Sequence, residues 1–518
     1  MKNRSPRWWP LVCVVVLYAI GLLWAWQIWD APSRQNRVLA TMAMTFLMVM
    51  GALLWLLLLS RLPWKTRLLG LLGIAVAGVA LSQAVEIRGV YGDLIPIPAW
   101  KWSPRTHETL DRDLPTGQIG ISAIAPSPEM ATLDFPQFLG PNRNATLTGI
   151  SLERDWAANP PELLWRQPVG AGWAGFAVVG NCAITIEQRG PEEMTICYDL
   201  ETGAVLWSHA DTAQFSDVVA GEGPRSTPTI LDGRVFVQGA TGMLNALDLA
   251  TGQPIWSIDI AEDNTTDVPL YGFAASPLIL GNKVVVVAPG APEGSLVAYD
   301  RETGDKLWSA GDGEGRYSSP TLVTLLDQEQ ILLFNRGSIR GHDPTTGEII
   351  WEYPWPTATE VTSQPLALAE DQVFQSSGYG IGSKVIELSI DGDGSWGAEL
   401  VWESLSLKAK FTNVVLHEGS IYGLDDGILV SIDPQTGERH WKHGRFGHGH
   451  VLLVEDLLLI LSEKGEVVLV DPQPNEYVEL GRFQAISGKT WNTPALAGPY
   501  LLVRNATEAA CYRLPLQR

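Results

Sequence analysis

One nine-residue pattern, Asp-x-x-Thr-Gly-x-x-x-Trp, recurs along the chain and limits what the chain can fold into. Its five copies begin at Asp199, Asp248, Asp300, Asp343 and Asp433, and each ends with a Trp eight residues after the Asp. Repetition at intervals of about 40–50 residues is typical of a β-propeller, in which each repeat contributes one sheet. The pattern therefore predicts a large all-β array.

The residue types in the pattern predict its local structure. The Asp ends a strand, and its carboxylate can accept hydrogen bonds from backbone N–H groups two or three residues later. The Gly supplies the positive φ that a tight hairpin requires. The Trp lies on the next strand, and we expect its large apolar surface to wedge between neighbouring sheets.

The number of blades follows from the Trp positions. The five full copies end at Trp207, Trp256, Trp308, Trp351 and Trp441. Trp165 and Trp402 hold the same position without the rest of the pattern, and in a weak eighth copy Phe483 replaces the Trp. We expect eight blades, or seven if the Phe483 unit is a loop. The segment Pro161–Val169 should complete the last blade, which leaves no open edge in the ring.

The N-terminal part has the composition of a membrane anchor. Three apolar runs, Pro10–Trp29, Val38–Leu59 and Leu68–Val85, are separated by short basic loops. The basic residues favour a cytoplasmic N-terminus and second loop, so everything after the third run is expected outside the cytoplasm. We predict a three-helix anchor over residues 1–87, a Pro-rich linker over 88–133 and the propeller over 134–518. The expected location is the bacterial inner membrane, with the propeller in the periplasm.

Charge is distributed unevenly along the chain. Residues 1–88 hold nine Lys/Arg against two acids, a balance of +7, so that of the total net charge of −21 the remainder carries −28. The strongly negative charge of the chain after residue 88 argues against a nucleic-acid partner.

The four cysteines suggest no metal or haem motif. Cys182 and Cys197 fall on the two strands of one predicted hairpin, where they form either a cross-strand disulfide or two small buried core residues. His448 and His450 have metal-like spacing without an identifiable third ligand, and Asp391-Gly-Asp-Gly-Ser resembles half of a calcium loop. The alternatives are a polar loop for the two histidines and a polar hairpin tip for the segment that begins at Asp391. We assign no catalytic residue and no metal ligand.

A candidate binding site emerges when the blades are aligned at the start of their first strands. A Lys or Arg opens five of the seven segments: Arg225, Arg316, Lys410, Arg445 and Lys489. Aromatic residues such as Tyr317 and Trp491 stand beside these cations. The sequence predicts a ring of cations at one mouth of the channel, which would focus the field onto an anionic ligand. The alternative is that each cation pairs with an acid of a neighbouring blade.

The repeats resemble the pyrroloquinoline-quinone (PQQ) type repeat, Ala-x-Asp-x-x-Thr-Gly-x-x-x-Trp, of the quinoprotein propellers. The resemblance runs from Asp134 to the C-terminus. It implies the propeller fold but leaves the activity open, since the family holds PQQ-dependent dehydrogenases and non-enzymatic assembly-factor lipoproteins. Phe135–Arg143 and Ser376–Gly380 look like a further, uncharacterised bacterial group of such proteins.

Active quinoproteins of this kind typically carry adjacent cysteines over the quinone, a calcium site and a catalytic Asp in long insertions. No two cysteines are adjacent here, and the blades contain little insertion. We therefore expect a membrane-anchored binding or assembly scaffold for a protein or an anionic ligand, with no firm cofactor. The alternative is a PQQ- and calcium-dependent membrane-bound alcohol or sugar dehydrogenase, since some membrane-bound members of the family also have N-terminal spans.

Overall fold

A computed structural model of the chain describes residues 6–115, 133–312, 315–356 and 359–517. It divides into two compact units. The first consists of Met1–Pro104 with Val218–Ala220, and the second of Arg105–Asp217 with Gly221–Arg518.

The first unit contains the predicted apolar helices. They span Trp9–Leu23, continued by a π-helical turn over Trp24–Ile28; Arg34–Leu54, continued by Trp55–Leu59; and Trp64–Ala84. All three are long and apolar enough to cross a membrane. The first two contact each other through a hydrogen bond between the hydroxyls of Tyr18 and Thr45, at 2.9 Å, and one from Trp26 Nε1 to Thr41 Oγ1, at 3.0 Å.

Part of the segment predicted as a linker has regular structure. Val85–Val90 pairs antiparallel with Pro96–Trp100, and a helical turn follows at Thr106–Thr109. The predicted linker residues 116–132 lie outside the described part of the chain.

The second unit is an eight-bladed propeller, as predicted. Blade 1 comprises strands Ala177–Val179, Cys182–Arg189, Glu192–Asp199 and Val205–Asp211. Blade 2 comprises Thr229–Leu231, Arg234–Gln238, Met243–Asp248 and Pro254–Asp259. Blade 3 comprises Leu278–Leu280, Lys283–Val287, Leu296–Asp300 and Lys306–Ala310. Blade 4 comprises Thr321–Leu325, Gln328–Asn335, Gly337–His342 and Ile349–Trp355.

The second half of the ring repeats this order. Blade 5 comprises Leu366–Ala367, Gln372–Ser377, Gly382–Ile390 and Trp396–Ser404. Blade 6 comprises Val415–His417, Ser420–Asp425, Ile428–Ile432 and Arg439–His443. Blade 7 comprises His450–Val454, Leu457–Leu461, Glu466–Asp471 and Val478–Gln484. Blade 8 comprises Ala495–Ala497, Tyr500–Arg504, Glu508–Arg513 and Glu162–Pro168.

Further short elements lie outside the regular blades. They are Thr146–Leu147, which adds a parallel strand to blade 7, the small hairpin of Ser216–Asp217 with Gly221–Glu222, and the helical turn Ile260–Asp263.

The ring closes as the sequence predicts. Glu162–Pro168 pairs antiparallel with Glu508–Arg513, so the first regular blade strand in the chain completes the last blade. Phe483 lies on the fourth strand of blade 7, with its ring centroid 4.8 Å from that of Tyr512 in blade 8. The Phe483 unit is therefore a blade, and the seven-bladed alternative is wrong.

The repeated pattern forms the turn between the third and fourth strands. In every full copy the Thr N–H donates to the Asp carboxylate over 2.8–3.1 Å, and the Gly N–H donates to the Asp carbonyl. Each Gly has a positive φ, between 69° and 81°. Both predicted roles are confirmed.

The Trp side chains join neighbouring blades. The indole Nε1 atoms of Trp165, Trp207, Trp256, Trp402 and Trp441 donate to the backbone oxygens of Leu200, Leu249, Arg301, Pro434 and Gln473 in the following blade, at 2.8–3.0 Å. Trp308 packs on Gly347 of the following blade without such a bond. Trp351 instead donates to Gln330 within its own blade, at 2.6 Å.

A buried charged network crosses the closing seam between blades 8 and 1. Glu187 accepts hydrogen bonds from Arg189 Nε at 2.7 Å and from the Gly170 N–H at 2.9 Å. Arg504 of blade 8 is fully buried, and its Nη2 lies 3.9 Å from the Glu187 carboxylate while donating to Gly170 O at 2.9 Å. Buried charges thus hold blade 8 to blade 1, in addition to the strand pairing that completes blade 8.

Candidate functional site

All first strands begin on the same face of the propeller, which we call the opening face. Because the strands of each blade alternate in direction, the Asp-Thr-Gly turns lie on the other face. The segments that open with a cation or a Ser/Thr-Pro step therefore meet around the axis on the opening face.

A closed belt of hydrogen bonds links the blades at the opening face. The bonds run from Gly175 N to Thr227 Oγ1, from Thr227 N to Ser276 Oγ, from Ser276 N to Ser319 Oγ, from Ser319 N to Gln364 Oε1, from Thr362 Oγ1 to Lys410 O, from Asn413 Nδ2 to Val451 O, between His450 Nε2 and Trp491 O, and from Asn492 Nδ2 to Ala174 O, over 2.6–3.0 Å. Every blade is bonded to the next, so the recurrent small polar residues are structural. His450 belongs to this belt, and burial lowers its pKa to about 4.

Arg225 is surrounded by an acid, a backbone oxygen and an aromatic ring. Its Nη2 pairs with Asp217 and donates to Gly221 O at 3.2 Å, while its guanidinium carbon lies 4.7 Å from the centre of the Phe215 ring. Burial lowers the pKa of Arg225, and the nearby carboxylates of Asp217 and Glu193 oppose that shift.

Arg316 and Tyr317 line a cleft of about 690 Å³. Its other walls are the loop that follows blade 2, including Val268 and Leu270, and Glu360. Arg316 Nε lies 3.6 Å from the Glu360 carboxylate. Burial raises the pKa of Tyr317 to about 12, so its hydroxyl stays protonated and accepts a hydrogen bond from Tyr271 N.

Lys410 and Arg445 lie at the openings of blades 6 and 7. Lys410 is buried, with its ammonium 4.6 Å from the centre of the Tyr379 ring. Arg445 is exposed and donates to the backbone oxygen of Asp426 at 3.4 Å. Burial raises the pKa of Asp426, whose carboxylate also feels the charges of Lys408 and Lys410.

Lys489 sits between two indole rings. Its ammonium lies 4.5 Å from the centre of Trp173 and 4.0 Å from that of Trp491. Burial lowers the pKa of Lys489 to about 8, against the attraction of Glu463 and Asp217. Trp491 donates from Nε1 to Glu463 at 2.8 Å and contacts Phe411, whose ring centre is 4.8 Å away.

The structure therefore brings the sequence-predicted residues to one face and adds acids among them. Asp217, Glu360, Asp426 and Glu463 each lie beside a predicted cation. The opening face therefore carries charges of both signs together with half-exposed aromatic rings. Sequence reasoning missed these acids because they come from loops and turns outside the aligned openings.

The residues of this face do not form the donor set that calcium requires. Calcium takes six to eight oxygen ligands, several of them carboxylates. Among the described residues no three His, Cys, Asp or Glu side chains lie close enough to share a metal ion, and the acids of this face lie beside Arg or Lys. Cys182, Cys197 and Cys511 are free and buried inside blades.

Comparison with known proteins gives one family and two kinds of relative. The family described as outer membrane protein assembly factor BamB matches residues 157–268 and 192–443. BamB of Shewanella oneidensis is 21% identical over 356 residues, which cover 65% of this chain and 86% of that protein. The quinohemoprotein alcohol dehydrogenase of Comamonas testosteroni is 26% identical over 251 residues, covering 43% of this chain and 33% of the enzyme. The aligned part thus spans about a third of that dehydrogenase.

Solved structures share the fold. BamB from Moraxella catarrhalis superposes with a TM-score of 0.51 at 16% identity, over 68% of this chain and 100% of that one. A europium-containing methanol dehydrogenase gives a TM-score of 0.54 at 13% identity, over 74% of this chain and 99% of that one. Both kinds of protein are built on the same propeller, so the fold does not separate the scaffold from the enzyme.

Proposed function

Because this chain belongs to the family of the outer membrane protein assembly factor BamB, we propose that it is a membrane-anchored scaffold whose opening face binds a protein partner. The observation that carries the proposal is the pattern of coverage among its relatives. The assembly factor aligns along most of its own length, whereas the dehydrogenase aligns along a third.

The opening face has the features of a protein-binding surface. It offers a large cleft, half-exposed aromatic rings and charges of both signs, the combination that recurs in protein interfaces. On the other face, the Trp side chains already cover the Gly residues of most repeat turns. The acids beside Arg225, Arg316 and Lys489 favour a partner with both charges over a simple anion.

We place the propeller outside the cytoplasm, anchored in the bacterial inner membrane. The support is the excess of basic residues before the first apolar helix and between the second and third. Trypsin added to spheroplasts should then degrade the propeller without lysis. Protection until the cells are broken would contradict this orientation.

Site-specific photo-crosslinking in native membranes tests the binding face. A photoreactive amino acid at Leu270 in the cleft, or at Arg445, is expected to form a discrete adduct with one protein. The matched control is Gln435, an exposed residue of a repeat turn on the other face. Adducts at Gln435 but at neither opening-face position would overturn the proposal.

The alternative function is a PQQ-dependent dehydrogenase, which the quinohemoprotein relatives favour. Among the residues that the structure describes, no cluster of three His, Cys, Asp or Glu side chains could hold the calcium ion. Adding PQQ and calcium to the purified protein should leave alcohol and sugar oxidation, followed with an artificial electron acceptor, at background. Turnover under these conditions would favour the enzyme instead.

A further inference from the structure

The segment Phe135–Ala145 packs against several first strands and places one arginine near the axis. Phe135 forms a β-bridge with Val178 of blade 1, and Pro136 O accepts a hydrogen bond from Ile230 N of blade 2. The segment is irregular, with positive φ at Leu139, Arg143 and Ala145. We call it the axial segment.

Arg143 is almost completely buried, with 4% of its surface exposed. Its guanidinium donates to Pro277 O at 2.9 Å, to Ser276 O at 3.0 Å and to Gln137 Oε1 at 3.2 Å. Its Nε is buried without a hydrogen-bond partner. All of these acceptors are neutral, as is the Phe138 ring, whose centre lies 5.9 Å from the guanidinium carbon, so none of these contacts supplies an opposite charge.

The other buried arginines of the described chain differ from Arg143. Arg189 pairs with Glu187, Arg340 with Asp312 and Glu352, and Arg504 lies 3.9 Å from Glu187. Within the described ranges no carboxylate forms an ion pair with Arg143. Burial lowers its pKa to about 9, with no acid to offset the loss of hydration, so it is still charged at neutral pH.

A cavity of about 250 Å³ adjoins this arginine. Its walls come from the axial segment and from the openings and first strands of blades 4, 5 and 6. The polar residues that line it with Arg143 are Asn142, Asn144, Thr321, Gln364 and Asn413. A water molecule takes about 30 Å³ of liquid volume, so the cavity has room for a small hydrated anion. None of the described residues that line the cavity is an Asp or a Glu.

We infer that this axial cavity is a binding site for a small anion, held by the Arg143 guanidinium and the surrounding amide and hydroxyl groups. A buried charge without an ion pair is costly, and a bound anion would supply the opposite charge that the described neighbours of Arg143 do not. Chloride, inorganic phosphate and a small carboxylate share the required chemistry. The site is separate from the proposed partner-binding function and does not depend on it.

Thermal unfolding of the full-length protein in detergent tests the site. Chloride, inorganic phosphate and acetate are each titrated against isethionate, a bulkier sulfonate, at constant ionic strength. At least one should raise the Tm by several degrees along a saturable curve, as a ligand of the folded state does. Arg143→Gln should abolish the saturable rise. Arg340→Gln, which removes a buried arginine that has acidic partners, should keep it.

A second variant covers the case in which Arg143→Gln does not fold. Asn144 accepts a hydrogen bond from Thr146 N at 3.0 Å through Oδ1, which an Asp at this position would keep. Asn144→Asp adds a negative charge to the cavity lining and should weaken the anion at least tenfold in a folded protein. The inference is overturned if none of the three anions gives a saturable rise with the wild-type chain, or if the rise survives unchanged in Asn144→Asp.

Discussion

The indole Nε1 of Trp207 in blade 1 donates a hydrogen bond to the carbonyl oxygen of Leu249 in blade 2, at 2.8 Å. The same indole lies over Gly252, three residues further along the repeat turn. Trp207 therefore contacts the repeat turn of the next blade through both a hydrogen bond and apolar packing. This explains why Asp, Thr, Gly and Trp recur together: the first three build the surface on which the Trp of the preceding blade packs.

Replacing Gly252 with Ala should destabilise the propeller more than the same change at Gly233. Both glycines have positive φ, 69° and 73°, so both variants strain the backbone. Only at Gly252 would the new Cβ meet Trp207, at 2.4 Å, whereas nothing lies within 4 Å of Gly233. We expect a loss of about 1–2 kcal/mol for Gly233→Ala and about 2–5 kcal/mol for Gly252→Ala, measured by urea unfolding. Equal losses would show that the Trp contact contributes little.

Glu187→Gln should weaken the closing seam. The change removes the carboxylate that offsets the buried charges of Arg189 and Arg504. Breaking a buried pair in this way costs about 3–5 kcal/mol of unfolding free energy. The control is Glu192→Gln, which removes a surface pair with Arg112, whose side chain is 48% exposed; it should cost at most about 1 kcal/mol. A small effect at Glu187 would mean that strand pairing alone holds the ring.

Glu193 should make the stability fall as the pH rises from about 4 to 7. Burial raises the pKa of Glu193 to about 7, above the value of about 4.3 in an unfolded chain. The folded state therefore holds a proton that the unfolded state releases in this window. Glu193→Gln should be more stable than the wild type by up to about 4 kcal/mol at pH 8 and nearly equal to it at pH 4. The difference in unfolding free energy, measured across this range, should follow that curve; a flat difference would contradict it.

The titration of Lys489 should make the stability rise with pH, over a higher pH range than that of Glu193. Burial lowers the pKa of Lys489 to about 8, below the value of about 10.4 in an unfolded chain, so stability from this group rises with pH between the two values. Lys489→Met should then be more stable than the wild type below pH 8, by up to about 3 kcal/mol, and lose most of this advantage near pH 10. Urea unfolding at pH 7 and pH 10 measures the difference. An advantage that grows with pH would contradict the assignment.

Much of the fold could be predicted from the repeat because its contacts are local or occur between successive copies. The Asp199–Gly203 turn needs only its own five residues, and the Trp165 position located the closing strand. Trp351 was predicted to resemble the others but differs, because blade 5 has the longer Asp391–Ser395 hairpin tip in place of a repeat turn. Its indole binds Gln330 of its own blade instead.

The site was predicted only in part, for a physical reason. The cations at Arg225 and Arg316 were found because they share one position in the repeat. Their acids, Asp217 and Glu360, lie in segments without a common register, so no periodicity marks them. The sequence does not identify Arg143 as a buried charge, because its burial depends on contacts with blades whose residues lie far along the chain. The sequence leaves the pairing of Cys182 and Cys197 open; in the structure both are free thiols, with Cys197 opposite Ile184 rather than Cys182.

The closure of the ring has a consequence for how the protein is made. Glu162 and Arg513 pair across 351 residues, so Glu162–Pro168 has no partner strand until Glu508–Arg513 has been synthesised. Through that interval the edge of Glu162–Pro168 is open to pairing with other chains. We therefore expect the nascent protein to depend on holding factors, and variants truncated before Glu508 to aggregate rather than fold as shorter rings.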